Sequence, residues 1–294
     1  MIRLKLAATA AAILGGLAIT SGAQAFTFVT LSPTGQLSTY DSATGQSTAI
    51  ATDAGLVGLG QLNSTVYGET SLGQLYSISS AGVESPIGSA NLTGATSYVD
   101  FGSTTGALYA LGNNGDLYTV DRTSGVGVFD LSLGLTGAQL TNLTSARNLI
   151  GMSTGSSTLY FVDGTTMYVI NTTTNVVTTH TIGAGPTQFG ALMYLTAAQA
   201  GSAAAAGLYG GANSTNLHGK SVHSGLYKFN LGTYAETLVN ETTPNNTNPF
   251  FMGMVPGFTT KVLPEPSEWA LMLVGFGAIG GALRSRRRRA TAQA

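Results

Sequence analysis

No cysteine occurs anywhere in the 294 residues. That absence removes disulfides, thiolate metal ligands, cysteine nucleophiles and a lipoprotein acylation site, and it leaves a fold that must stand on core packing alone. Charge is scarce too, with Asp, Glu, Lys and Arg making up 9% of the chain. Seven of the twelve basic residues sit at the two ends, as Arg3, Lys5, Arg284, Arg286, Arg287, Arg288 and Arg289. The long middle keeps only Arg122, Arg147, Lys220, Lys228 and Lys261 against eleven acids, a net charge of −6. Such a body has no clustered cationic face, which argues against nucleic acid or anionic lipid as a partner. It is rich in Gly, Ser, Thr, Ala and Asn, yet too apolar and too regularly patterned to be disordered.

Both ends carry addresses. Arg3 and Lys5 precede an apolar stretch from Leu6 to Ile19, and Ala23-Gln24-Ala25 supplies small residues at the two positions a signal peptidase reads. Residues 1–25 are therefore expected to be a signal peptide, and the mature chain is expected to start at Phe26. At the other end Pro264-Glu265-Pro266 is followed by an uncharged run, Trp269 to Leu283, and then by the arginines. Fifteen residues at helical rise span about 22 Å, short of the roughly 30 Å hydrocarbon core. Trp269 at one interface and snorkelling arginines at the other make up the difference, and the cations hold the C-terminus on the cytoplasmic side. Gly275, Gly277 and Gly280 happen to spell a dinucleotide fingerprint, but no strand precedes them. Gly277 and Gly281 give GxxxG, a helix-pairing spacing that small residues produce readily.

The order of motif, helix and basic stop at residues 263–294 resembles the PEP-CTERM sorting signal of exported proteins in Gram-negative bacteria, with Ser285 interrupting the arginine run. The resemblance implies an exosortase-type processing enzyme as partner, reading Pro264, Glu265 and Pro266. It also implies transient anchorage in the inner membrane with the body in the periplasm, then delivery to the cell surface or extracellular matrix.

Residues 26–262 repeat. Ala107 to Leu111, an Asn-Asn-Gly turn, and Asp116 to Asp121 read as a β-hairpin of alternating side chains. Related hairpins place Leu37, Leu75, Leu117, Met167 and Leu226 at equivalent positions, 38, 42, 50 and 59 residues apart. Such periods, with several strands per unit, are those of propeller blades. Four strands per unit can be laid out, for example Thr96 to Phe101, Ala107 to Leu111, Asp116 to Asp121 and Val126 to Leu131. The fourth unit starts at Arg147 to Met152. The first copy has only Phe26 to Leu31, Gln36 to Asp41 and Ser47 to Thr52, whereas an apolar strand, Phe250 to Phe258, is left over after the fifth. The expected fold is all-β, a five-bladed β-propeller whose C-terminal strand closes the first blade and so removes exposed sheet edges. An all-β sandwich or solenoid with similar hairpins is the rival. The third copy, Asp100-Phe101 through Gly125, also resembles uncharacterised exported propeller-like repeats.

Catalytic chemistry is hard to find. His218 and His223 lie five apart in an insertion with no acidic neighbour, too few ligands for zinc, and His180 stands alone. No GxSxG elbow is present. Asp41, Asp121 and Asn171 fall at matching positions before Thr/Ser-rich turns, where capping of the turn is favoured over calcium ligation. Asp100 lies on the first strand of a blade and is expected to face the channel or its mouth. The tyrosines Tyr67, Tyr76, Tyr109, Tyr118, Tyr160, Tyr168, Tyr209 and Tyr227 could stack carbohydrate, but their repeat spacing points to packing between blades. The sequons at Asn63 and Asn142 carry little weight. No catalytic residue, metal or cofactor is assigned. Two functions remain: a non-enzymatic surface or matrix protein that presents loops to exopolysaccharide or protein, and a secreted lyase or hydrolase acting on exopolysaccharide. The paucity of charge favours the first.

Overall fold

The computed structural model describes residues 26–32, 34–52, 55–144, 153–154, 157–183, 189–200, 203–212, 225–241 and 253–256. Twenty strands form five four-stranded antiparallel sheets. Blade 1 combines β1 (Thr27–Leu31), β2 (Gln36–Asp41) and β3 (Gln46–Thr52) with the last strand, β20 (Gly253–Val255). Blade 2 contains β4 (Leu56–Leu62), β5 (Thr65–Thr70), β6 (Leu75–Ile78) and β7 (Glu84–Ile87). Blade 3 contains β8 (Tyr98–Ser103), β9 (Leu108–Gly112), β10 (Asp116–Val120) and β11 (Gly127–Ser132). Blade 4 contains β12 (Ser153–Thr154), β13 (Thr158–Asp163), β14 (Thr166–Asn171) and β15 (Val176–Thr181). Blade 5 contains β16 (Phe189–Leu195), β17 (Gly207–Ala212), β18 (Gly225–Phe229) and β19 (Glu236–Glu241). Among the described residues two short helices, α1 (Ala138–Thr144) and α2 (Ala197–Ala200), interrupt the repeat and are not foreseen from the sequence.

The innermost strands close a ring. β4 lies against β8 and β20, β12 against β8 and β16, and β16 against β20. This is a five-bladed β-propeller. β20 pairs with β1 as expected, in the register Val29↔Val255, Thr30↔Met254 and Leu31↔Gly253. The expected fourth-blade strand Arg147 to Met152 lies outside the described residues, which resume just after it. There β12 is Ser153–Thr154.

Burial explains the repeat. Leu37, Leu117, Met167 and Leu226 each occupy the second position of the third strand of a blade, Leu75 the first position of its own, and all five are 0% exposed. They belong one to each of the five hydrophobic clusters that fill the spaces between sheets. Each such leucine or methionine taken out of water contributes about 1.5–3 kcal/mol of transfer free energy. The packing is therefore sheet face against sheet face around a ring, and the outermost strands carry the alternating exposed positions. β15, for instance, exposes Val176, Thr178, Thr179 and Thr181.

Candidate functional site

A propeller positions its hub through the innermost strands, and three of these share one irregularity. The pairing of β4 with β5 skips a residue between Leu56 and Gly58, that of β8 with β9 skips one between Tyr98 and Asp100, and that of β16 with β17 skips one between Phe189 and Ala191. Val57, Val99 and Gly190 are the extra residues. A bulge of this kind adds one residue to one strand and shifts the inward/outward alternation beyond it.

That shift decides where Asp100 goes. The expectation that it faces the channel or its mouth is not met, since it is 1% exposed. Its Oδ1 accepts a hydrogen bond from the Phe101 amide at 2.7 Å, while Oδ2 is buried without a partner among the described residues. The carboxyl lies over Gly58 of the neighbouring blade, where a Cβ would come within 2.5 Å of Oδ1 and of the Phe101 nitrogen. Only glycine fits there.

Directly across from Gly58 in blade 2 stands Glu69, 0% exposed. Paired residues in an antiparallel sheet share a face, and Tyr67, two positions earlier, belongs to the cluster that includes Tyr98, Phe101 and Tyr118 of blade 3. Glu69 therefore faces the same seam as Asp100. Neither oxygen of its carboxyl has a hydrogen-bond partner among the described residues. Burial raises its pKa to about 8 and raises that of Asp100 well above the usual carboxylate range, with the Phe101 amide pulling the latter back in part. The Tyr98 hydroxyl is pushed up to about 12, chiefly by burial and then by the Glu69 carboxyl. The seam thus holds two acids whose burial favours the protonated form. Glu69 is missed in the sequence reading, although the period-2 pairing of Tyr67 with Glu69 on one strand face carries the signal.

The tyrosines are packing residues, as expected. Tyr67, Tyr109, Tyr118, Tyr160, Tyr168, Tyr209 and Tyr227 are buried, and Tyr76 is half-buried. Their hydroxyls reach partners at the cluster margins: Asn114 Nδ2 donates to Tyr118 at 2.9 Å, Gln139 Nε2 donates to Tyr168 at 2.5 Å, and Tyr209 donates to the Ala205 carbonyl.

Turn capping is likewise seen. Asp41 Oδ1 accepts from the Ala43 amide at 2.7 Å, and Asn171 Oδ1 accepts from the Thr173 and Thr174 amides at 3.0 Å each. Asp121 Oδ1 accepts from the Thr123 hydroxyl at 2.6 Å and the Ser124 amide at 2.8 Å, bonds that hold this exposed carboxyl well below the usual range. The fifth blade has the same device at Asn230, which accepts from the Gly232 amide at 2.8 Å. In blade 2 the turn begins at Ser79, whose hydroxyl oxygen accepts from the Val83 amide at 3.1 Å. The fourth residue after each Asp or Asn cap, and the third after Ser79, has positive φ: Gly45, Gly82, Gly125, Asn175 and Tyr234.

These turns lock neighbouring blades. A Cβ on Gly45 would meet the Glu241 carbonyl at 2.4 Å, one on Gly82 would meet Ala51 at 2.5 Å, and one on Gly125 would meet the Ile87 carbonyl at 2.8 Å. Each is the end of the outermost strand of the preceding blade. At the seam between blades 4 and 5 the position is Tyr234, whose ring stacks on His180 with centroids 3.8 Å apart and planes at 12°. Beside it Glu236 Oε2 accepts from the Gly183 amide at 2.8 Å.

Among the described residues no three His, Cys, Asp or Glu side chains group as metal ligands, and no helix is long and apolar enough to cross a membrane. His218, His223, Ala23, Ala25, Pro264, Glu265, Pro266, the run 269–283, Arg284 and Arg286 to Arg289 lie outside the described residues. No protein-family model matches this chain, and neither does any curated protein.

Proposed function

We propose that this protein is an exported, non-enzymatic surface or extracellular-matrix protein, sorted by its Pro264-Glu265-Pro266 tail and processed by an exosortase-type enzyme. Its ring presents loops to exopolysaccharide or to other proteins. The observation that carries this reading is where the chain enters and leaves the ring. β1 begins beside the end of β20, at the place where blade 2 has its Asn63-Ser64 turn and blade 3 its Thr104–Gly106 turn. Both ends of the body therefore emerge from one side of the hub. The connections on the opposite side of the ring include residues 71–73, 88–97 and 113–115, which are built of Ser, Thr, Asn, Gly, Ala and Leu. Hydroxyl and amide groups suit a neutral polysaccharide better than a charged polymer.

The tail is tested in the native host. In the wild type, the mature protein should begin at Phe26 and lack residues beyond the motif, and it should leave the membrane fraction. Glu265→Ala should stay membrane-bound with its tail intact, although helix and arginines are untouched. A wild-type mature protein ending at Ala294 would reduce the motif to an anchor.

A further inference from the structure

We propose that the seam between blades 2 and 3 is a proton-operated latch, closed while Glu69 and Asp100 carry their protons and loosened when they lose them. Three carboxyl oxygens, both of Glu69 and Oδ2 of Asp100, are buried there without partners among the described residues. The two side chains bracket Gly58, whose missing side chain lets β4 and β8 come together. A neutral acid tolerates such a place at the cost of an unmade hydrogen bond, whereas an ionised one must be solvated or must leave.

No positive charge among the described residues lies at the seam. The titratable side chains facing the seam are Tyr67 from β5, Tyr98 beside Asp100 on β8 and Tyr118 from β10. Each can offer a carboxylate one hydroxyl hydrogen bond at most, and none brings a positive charge. The described cations lie elsewhere: Lys228 bonds the Ala204 carbonyl, His180 stacks on Tyr234, and Arg122 is exposed beside the Asp121 turn.

The sign follows from linkage. Glu69 ionises near 4.5 in the unfolded chain and near 8 in the fold. Between those values the unfolded state has released a proton that the folded state retains, so stability falls as pH rises through this window and levels off above it. Asp100 acts in the same direction. Asp121, with its lowered pKa, acts only at lower pH and in the opposite sense. Asp130, whose pKa burial also raises, acts in the same direction as the latch, so substitution of Glu69 and Asp100 is what separates the latch from it between about pH 5 and 9.

The experiment is thermal melting of the full chain in neutral detergent across that window. The wild-type midpoint should fall by on the order of 5–10 °C. Glu69→Gln and Asp100→Asn keep the shape of the protonated acids, and each should flatten the fall, with the double variant nearly level. A wild-type slope retained in the double variant would overturn the proposal, because the fall would then come from general charge repulsion. Amide hydrogen exchange in the wild type, corrected for intrinsic rates, covers the case in which a variant fails to fold. At pH 9 protection should drop in β4, β5 and β8 first, and an equal drop in all five blades would overturn the latch. Recovery of the pH 9 midpoint on adding calcium would also overturn it, by making the carboxyls cation ligands.

Discussion

The seam between blades 2 and 3 and the seam between blades 4 and 5 are closed by the same left-handed turn with opposite chemistry. In the first, Gly125 lets backbone approach backbone, and the reciprocal contact at Gly88 leaves only 1.8 Å between a notional Cβ and the Ser124 carbonyl. In the second, Tyr234 accepts φ of +55°, an unfavourable conformation for an aromatic residue, and meets His180 ring to ring. One seam is held by the absence of a side chain. The other is held by the presence of two. A repeat thus conserves the conformation of its turn while the contact made through it changes from blade to blade.

Opening the ring removes the comparison altogether and should have the largest effect. A chain ending near residue 248 lacks β20, so β1 and the innermost strands beside it lose their partner. Its thermal unfolding should lose cooperativity or end in aggregation, and melting like the intact chain would show that closure does not matter. Next comes Gly88→Ala, which must displace backbone at the first seam and adopt a left-handed φ of +64°. It should cost on the order of 3 kcal/mol by denaturant unfolding. The smallest change belongs to the second seam. Tyr234→Gly gives up a stacked pair worth about 0.5–1.5 kcal/mol but relieves a left-handed residue of about 1–2 kcal/mol. The two nearly cancel, and a loss above about 2 kcal/mol would mean that the stack, rather than the turn, holds blades 4 and 5.

Much of this architecture was legible because it rests on local pattern. The spacing of Leu37, Leu75, Leu117, Met167 and Leu226 marks five third strands, and the missing first-blade strand together with the surplus strand near residue 254 implies closure. Asp41, Asp121 and Asn171 are readable as caps because each precedes a run of small polar residues. What escaped depends on contacts between blades. The bulge at Val99 adds one residue and turns Asp100 away from the direction that simple alternation assigns it. Asn230 follows directly on β18, and Tyr234 does not look like the glycine whose place it takes. Glu69 is the instructive miss: strand parity places it inward with Tyr67, but only Gly58, on the partner strand, explains why an acid is tolerated there.

The joint between β1 and β20 has one more consequence. The two strands are antiparallel, and the ends that lead out of the ring lie at the same end of the pair. Tension applied between residues before Phe26 and residues after Pro256 would load their hydrogen bonds one at a time, as in unzipping, rather than all together, as in shear. A pull between the ring's own two ends therefore opens this joint bond by bond.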